Sequence, residues 1–211
     1  MRLLPLESLI RTGPVDHADW NYKPILGTIS RARLKLICRL LPAEPVGRLL
    51  EVGYGSGIFL PELATRCAEL FGLDPHNCTE AVAEKLTAFE VNAFLTPGSA
   101  ESMRYPDRYF DRVVAVSCLE FIPDIEAAVG ELCRVLAPGG SLVCVTPGHS
   151  KVVDFGLKVL TRQSAKKDYG DRRERLAAAL DGRFTVRREL RWPPLVCRVV
   201  PLYRAMELVP K

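Results

Sequence analysis

The sequence predicts an α/β protein built on a doubly wound, Rossmann-like sheet. Two observations carry this prediction: short apolar runs that suit buried strands alternate with amphipathic helical segments, and closely spaced glycines follow the first such strand. Strands that alternate with helices form right-handed βαβ units, so we expect a mainly parallel sheet with helices on both faces. A chain of 211 residues is long enough to bury a full core in one such domain.

Five strands are predicted in the first part of the chain, because each is a short apolar run next to a turn signal. They cover residues 48–53, 70–73, 93–95, 111–117 and 141–146. Four helices are predicted from apolar residues at helical spacing, and in the first of them the apolar face opposes a basic face. These helices cover residues 28–41, 58–68, 80–89 and 125–136.

After Pro147 the pattern changes, and the last part of the chain is expected to complete the sheet. Helices are predicted at 150–160 and 172–180. A strand is predicted at 184–192, where apolar and polar residues alternate, and another at 195–200. Consecutive strands with a tight connection pair antiparallel, so we expect seven strands in all, with an antiparallel strand at the C-terminal end.

The chain is expected to divide into an N-terminal arm and helix over residues 1–45 and one compact domain over residues 46–211. No stretch approaches 18 consecutive apolar residues, so no transmembrane helix is predicted. The first residues lack the uninterrupted apolar core of a signal peptide, which predicts a cytoplasmic protein. The seven cysteines are odd in number and contain no CxxC pair, which favours buried thiols over disulfides or a metal site.

Charge is unevenly distributed, with a net −4 over residues 1–150 and a net +8 over residues 151–211. Basic clusters lie at 166–167, 172–175 and 187–188. Such clusters are most often solvated helix faces, and the alternative is an anionic partner. Nucleic acid is not expected, because aromatic residues do not interleave with the basic runs. Anionic lipids or small molecules fit better, and the segment from Trp192 to Arg204 could contact a membrane surface peripherally or simply form the last strand.

Three glycines, Gly53, Gly55 and Gly57, lie between the first strand and the next helix. Glycine there allows positive φ and a close approach of the backbone to a ligand at the carboxyl edge of the sheet. Asp74 ends the second strand, where a carboxylate can accept hydrogen bonds from both hydroxyls of a ribose. Ile58 stands where the nicotinamide fingerprint has a third glycine or alanine, which weighs against a nicotinamide-dependent oxidoreductase but leaves it as an alternative.

Four segments, in order, resemble the motifs of class I S-adenosylmethionine-dependent methyltransferases. They are 51–57, 73–74, 98–103 with 109–111, and 136–140, while 117–124 is similar to the active-site loop of that family. The resemblance covers about residues 46–147 and implies that S-adenosylmethionine is bound by Glu51, Gly53, Tyr54, Gly55, Gly57, Asp74, Pro75, Ser99, Ala100, Glu101, Ser117 and Cys118. For Glu51 the alternative role is to brace the glycine loop. Ser99 departs from the family, since many relatives have an aspartate there that contacts the adenine amino group.

The resemblance implies transfer of a methyl group from a sulfonium to a small-molecule or lipid-like, anionic or neutral acceptor by in-line displacement, which leaves S-adenosylhomocysteine. The protein then mainly positions and desolvates the reactants. Glu120 and His149 are the predicted catalytic residues, with His17 as a third candidate, although loop histidines are often merely solvated. Trp20 and Tyr22 are predicted to form a lid, the alternative being a packed arm. A catalytically inactive cofactor-binding module is a further alternative.

Overall fold

Seven strands form one sheet in this computed structural model, which describes residues 1–14, 16–148, 168–194 and 201–211. The strands are β1 (Val46–Val52), β2 (Cys67–Asp74), β3 (Phe94–Pro97), β4 (Phe110–Val116), β5 (Leu136–Pro147), β6 (Phe184–Trp192) and β7 (Tyr203–Pro210). Their order is β3-β2-β1-β4-β5-β7-β6. The first five are parallel, whereas β7 runs antiparallel to both β5 and β6. The predicted seven-stranded sheet, mostly parallel with an antiparallel C-terminal strand, is confirmed.

Helices pack on both faces of this sheet. They are α1 (Pro24–Leu40), α2 (Leu60–Leu63), α3 (Thr79–Ala88), α4 (Ile125–Val135) and α5 (Asp168–Arg183). Successive residues of β4 point to opposite faces, so Val113 belongs to a core cluster with Leu132 of α4, while Val114 belongs to one with Ile37 of α1. The sheet is therefore buried on both sides, as its continuous apolar strands predict.

The region between β1 and β2 differs from the prediction. A helix was expected over 58–68, but α2 ends at Leu63, a 3₁₀ turn follows, and β2 begins at Cys67. Cys67 pairs with Val46 at the start of β1, so sheet hydrogen bonding takes up residues that the local pattern assigned to the helix. The first half of β2 is partly exposed, which is why it lacks the apolar run that marks its second half.

The end of the chain supplies a strand that the sequence pattern did not locate. The predicted helix at 150–160 and the predicted strand at 195–200 lie outside the described residues. Residues 203–210 form β7, although Arg204 and Glu207 interrupt the apolar pattern there. Glu207 is buried because Arg188 pairs with its carboxylate at 2.6 Å and Ser141 donates a hydrogen bond to it at 3.3 Å.

The N-terminal arm is packed into the core. Leu4 is fully buried, and its N–H donates to the carbonyl oxygen of Ile58 at 3.2 Å. The following helix α1 begins at Pro24, four residues earlier than predicted, because proline is well suited to the first position of a helix. The arm and α1 thus reach the carboxyl edge of the sheet.

Candidate active site

A cavity of about 780 Å³ opens at the carboxyl edge of the parallel strands. The ends of β1, β2, β4 and β5 form its floor, and the N-terminal arm and α1 form one wall. This is the edge at which doubly wound sheets bind ligands, and the volume suits a small organic molecule.

The three glycines of the loop after β1 all have positive φ, at +74° for Gly53, +52° for Gly55 and +73° for Gly57. A Cβ on Gly53 would lie 2.6 Å from the Cβ of Cys118, so a side chain is excluded there. At Gly55 the nearest atom to such a Cβ would be 3.8 Å away, on Thr12. The loop therefore packs closely on one side and leaves room for a ligand on the other.

Asp74 ties this loop to the end of β2. Its Oδ2 accepts a hydrogen bond from the Gly55 N–H at 2.9 Å, and its Oδ1 accepts one from the His76 N–H at 3.2 Å. The His76 ring completes the link, since Nδ1 accepts from the Cys78 N–H at 3.1 Å. Nε2 then carries the proton and donates to the Gly55 carbonyl oxygen at 3.0 Å. Sequence reasoning missed His76, which has no motif signal.

Tyr54 and Pro75 flank the same loop. The Tyr54 ring is buried and lies edge-on to His76, with ring centroids 4.9 Å apart. Its hydroxyl is 3.1 Å from Oγ1 of Thr79, at the start of α3. Pro75 lines the cavity next to Asp74.

Ser99, Ala100 and Glu101 also line the cavity. The Ser99 hydroxyl donates to the Glu101 carboxylate and accepts from the Glu101 N–H at 3.3 Å. The other carboxylate oxygen of Glu101 accepts from the Asp124 N–H at 2.8 Å. The serine that departs from the family pattern is thus paired with a neighbouring carboxylate that also lines the cavity.

Two residues that line the cavity carry buried polar atoms without hydrogen-bond partners among the described residues. Glu51 is 3% exposed, and no described residue hydrogen-bonds to its Oε2. Burial raises the pKa of Glu51 well above its usual range, Asp74 raises it further, and Arg33 lowers it. Ser117, at φ +51°, has a buried hydroxyl oxygen that likewise lacks a partner in the described part of the chain. The adjacent Cys118 thiol donates to the Val52 carbonyl oxygen at 3.0 Å.

Glu120 follows β4 and also lines the cavity. It is 3% exposed, and its Oε2 has no hydrogen-bond partner within the described ranges. Burial raises the pKa of Glu120 from 4.5 to about 7, while its own N–H and the charges of Arg173 and Arg33 act to lower it. A carboxylate with this pKa can exchange a proton near neutral pH.

Residues 50–144 match the family profile described as "Methyltransferase domain". The chain contains a methyltransferase domain. The chain is 35% identical over 102 residues to a phosphatidylethanolamine N-methyltransferase of Cereibacter sphaeroides. This alignment covers 47% of this chain and 50% of that protein. The chain is also 32% identical over 114 residues to a demethylmenaquinone methyltransferase of Bacillus licheniformis. That alignment covers 53% of this chain and 48% of the relative. The chain therefore spans about half the length of these curated relatives.

A solved structure of an S-adenosylmethionine-dependent methyltransferase from Aquifex aeolicus has the same fold as the chain. Its TM-score is 0.66 at 15% identity, and the match covers 92% of this chain and 98% of that one. The resemblance to class I methyltransferases is confirmed, and these matches favour it over the nicotinamide-dependent alternative. Residues 50–144 are thus similar to a methyltransferase domain, and S-adenosylmethionine is the cofactor that the resemblance implies.

The cavity of the methyltransferase domain fits this cofactor. The open side of Gly55 would give room for it, the Asp74 carboxylate, held by the Gly55 N–H, would accept hydrogen bonds from its ribose, and Glu51 would offer an unpaired buried oxygen to its cationic group. Ser99 and Glu101 also line the cavity and would supply hydrogen-bond acceptors to the adenine. The cofactor, when bound, supplies an electrophilic methyl group on a sulfonium.

The N-terminal arm brings only part of the predicted lid to the methyltransferase cavity. Trp20 lines it and stacks on His17, with ring centroids 4.4 Å apart. Tyr22 does not line it, and its hydroxyl instead donates to the Leu4 carbonyl oxygen. His149 lies outside the described residues.

Like His76, Arg33 and Tyr203 line the cavity without having been predicted from the sequence. Arg33 of α1 lines the cavity, although its helix was expected to keep basic residues on the outer face. It shares the inner face with Ser30 and Leu34, at helical spacing. Tyr203, at the start of β7, lines the cavity beside Pro147, its pairing partner in β5.

Several C-terminal arginines of the chain are paired with glutamates. Arg188 and Arg187 lie 2.6 Å and 3.6 Å from carboxylate oxygens of Glu207. Glu189 accepts from Arg191 at 2.6 Å and from Arg204 at 2.7 Å. Lys166 and Lys167 lie outside the described residues. Among those described, no helix is long and apolar enough to cross a membrane, and no group of three potential metal ligands occurs.

Proposed function

We propose that the whole chain is an S-adenosylmethionine-dependent methyltransferase that methylates a small, largely apolar acceptor. One observation carries this proposal: the glycine loop, Asp74, the buried carboxylate of Glu120 and a group of apolar residues all line a single cavity. The relatives named for a phospholipid headgroup and a quinone support an acceptor that is lipid-like or quinone-like.

At the cofactor end, the chain's own contribution is to bind and orient. The Gly55 N–H holds Asp74 in place, so the carboxylate is fixed before a ribose binds. Such preorganisation lowers the entropic cost of binding. The unpaired oxygen of Glu51 provides a negative charge or a hydrogen-bond acceptor in a site that excludes water.

At the acceptor end, Glu120 takes a proton from a nucleophile that carries one. The neighbouring wall is apolar and includes Leu34, Phe59, Phe121, Ile122 and Pro123. An apolar wall excludes water and strengthens each electrostatic interaction made inside the cavity. His17 and Trp20 close the cavity from the arm side and are proposed to contact the acceptor.

The proposal is tested by titrating the full chain with S-adenosylhomocysteine by isothermal calorimetry. A second assay follows a labelled methyl group from S-adenosylmethionine to a panel of quinols, lipid headgroups and acidic small molecules. We expect saturable binding of one S-adenosylhomocysteine per chain and transfer that is lost in the Glu120→Gln variant. Binding of the cofactor product with no transfer to any acceptor would favour an inactive binding module.

A peripheral membrane contact remains part of the proposal, but fewer arginines can take part in it than the sequence suggested. Four C-terminal arginines are engaged by Glu189 and Glu207, which reduces the charge that they can offer to an anionic surface. The exposed arginines Arg172 and Arg175 of α5 remain available to one. Co-sedimentation with anionic vesicles at low salt should therefore be weaker for the double variant Arg172→Gln/Arg175→Gln than for the parent chain. Equal sedimentation of the double variant and the parent would reject a role for this helix.

A further inference from the structure

We propose that Arg33, Glu120 and Tyr203 select an acceptor with an acidic hydroxyl group, a phenol or an enol, and hold it as its conjugate base for methylation at oxygen. This inference rests on the proposed methyltransferase function and names the acceptor class for the same cavity. It assigns Arg33 the role of binding the acceptor oxyanion, with Glu120 as the base and Tyr203 as the polar wall beside them.

The three side chains come from separate parts of the fold, line the same cavity and influence one another electrostatically. Arg33 lies on α1, Glu120 lies in the turn after β4, and Tyr203 begins β7. The Nε of Arg33 is buried, and no acceptor for it exists among the residues that the structure describes. An unpaired buried guanidinium N–H is costly, so its place beside an unpaired carboxylate oxygen indicates a ligand that contacts both.

The charges around Glu120 favour a proton transfer that creates an anion. Arg33 acts to lower the pKa of the Glu120, Glu51 and Tyr203 side chains, so its positive charge reaches all three. Burial raises the pKa of Glu120 to about 7 and also raises that of Tyr203. The titratable and charged groups that face Glu120 from the surrounding elements are Arg33, Arg173, Cys118, Cys144 and Tyr203.

A hydroxyl suits this arrangement better than an amine or a carboxylic acid. A hydroxyl enters neutral, and passing its proton to Glu120 moves one negative charge to a position beside Arg33 without adding any charge to the buried site. An amine arrives mainly as an ammonium ion, which Arg33 repels. A carboxylate arrives already ionised and would lie as a second anion next to Glu120.

The reaction balances with these groups alone. The acceptor O–H bond breaks, its proton goes to Glu120, and the electron pair stays on the acceptor oxygen. That oxygen attacks the methyl carbon, an O–C bond forms, and the S–C bond breaks with its electrons left on sulfur. The products are a methyl ether and S-adenosylhomocysteine, and Glu120 releases its proton to solvent.

The test uses 4-nitrophenol, whose phenolate absorbs visible light, added to the full chain saturated with S-adenosylhomocysteine. We expect the bound probe to be more ionised than the free probe at the same pH. Arg33→Met should lower the ratio of bound phenolate to bound phenol by about tenfold, as loss of roughly 1.4 kcal/mol of charge stabilisation would. Glu120→Gln should raise that ratio, because a neutral amide replaces the competing anion.

The opposite signs of the two changes separate electrostatics from general damage to the cavity. Arg39→Met, an exposed arginine of the same helix, is the matched control and should leave the ratio unchanged. If Arg33→Met loses nitrophenol but still binds 4-nitroanisole, the neutral methyl ether, the proposal is also supported. A probe that binds only as the neutral phenol, that does not bind, or whose ionisation is the same in Arg33→Met would overturn it. Failure to bind S-adenosylhomocysteine would instead reject the proposed function.

Discussion

Oδ2 of Asp74 lies 2.9 Å from the N–H of Gly55 and accepts its hydrogen bond. This contact joins the residue at the end of β2 to the centre of the glycine loop at the end of β1. The same carboxylate holds the His76 N–H at 3.2 Å, and the His76 ring donates back to the Gly55 carbonyl oxygen. The loop is therefore fixed at both the N–H and the carbonyl oxygen of Gly55, so its surface is already shaped before a ligand binds.

Replacing Asp74 with alanine is expected to weaken S-adenosylhomocysteine binding by about 10- to 100-fold, because hydrogen bonds to a charged group contribute about 1.5–3 kcal/mol. Isothermal calorimetry measures the change in Kd. Asp111→Asn is the matched control, since Asp111 also holds a backbone N–H, that of Arg48 at 2.7 Å, but does not line the cavity. Equal losses in the two variants would mean that only stability had changed.

Gly53→Ala should destabilise the fold and reduce cofactor binding for two reasons. Its φ is +74°, and the new Cβ would lie 2.6 Å from the Cβ of Cys118. Gly139→Ala separates these causes, because its φ is +79° but nothing lies within 4 Å of the added Cβ. Backbone strain alone costs about 1–2 kcal/mol, so urea unfolding should show that loss in Gly139→Ala and a clearly larger one in Gly53→Ala. Equal losses would contradict the steric argument.

Glu120 should make stability depend on pH. Its pKa is about 7 in the folded protein against 4.5 as the ordinary value, so the folded state binds more protons than the unfolded state between these values. Stability from this group is therefore fully present below pH 4.5 and is lost as pH rises through about 7, by about 3 kcal/mol in all. Urea unfolding should show that Glu120→Gln gains stability relative to the parent as pH rises from 5 to 8. A constant difference would show that Glu120 has an ordinary pKa.

The same group should control the rate of methyl transfer in the opposite direction. A base must be deprotonated, so kcat is expected to fall as pH drops below the pKa of Glu120, near 7. Glu120→Gln should lose most of the rate together with this acidic limb. A parent enzyme whose rate is independent of pH between 5.5 and 8 would argue for an acceptor that needs no base.

Trp20 and Tyr22 are expected to respond differently to substitution, since only Trp20 lines the cavity. Trp20→Ala should weaken ligand binding with little change in stability. Tyr22→Phe removes the hydroxyl that donates to the Leu4 carbonyl oxygen, so it should lower stability by about 0.5–1.5 kcal/mol and leave binding unchanged. Deleting the whole arm is a poor test, because it also removes the fully buried Leu4. Weaker binding in both variants would support a lid formed by both residues.

Local sequence signals predicted much of the fold and the placement of the glycine loop beside Asp74 in the candidate site. The strand at 184–192 is found at its predicted bounds because alternation reports a half-buried strand directly. Gly53, Gly55, Gly57 and Asp74 lie at the ends of two neighbouring strands, so short-range pattern was enough to bring them together.

The acceptor end depends on long-range packing and was found only in part. Arg33 faces the cavity because α1 packs against the carboxyl edge of the sheet, which helical periodicity within α1 cannot indicate. Tyr203 arrives from β7, whose apolar pattern is interrupted by the buried, paired Glu207. The helix expected at 58–68 was shortened because strand pairing with β1 outweighs local helical preference.

The most direct test of the cofactor site compares S-adenosylhomocysteine with NAD in calorimetric titrations of the full chain and of its Asp74→Ala variant. The predicted result is that S-adenosylhomocysteine binds the parent with one site per chain, that Asp74→Ala binds it at least about tenfold more weakly, and that NAD binds neither protein. Tight binding of NAD, or S-adenosylhomocysteine binding that is unchanged in Asp74→Ala, would contradict the assignment.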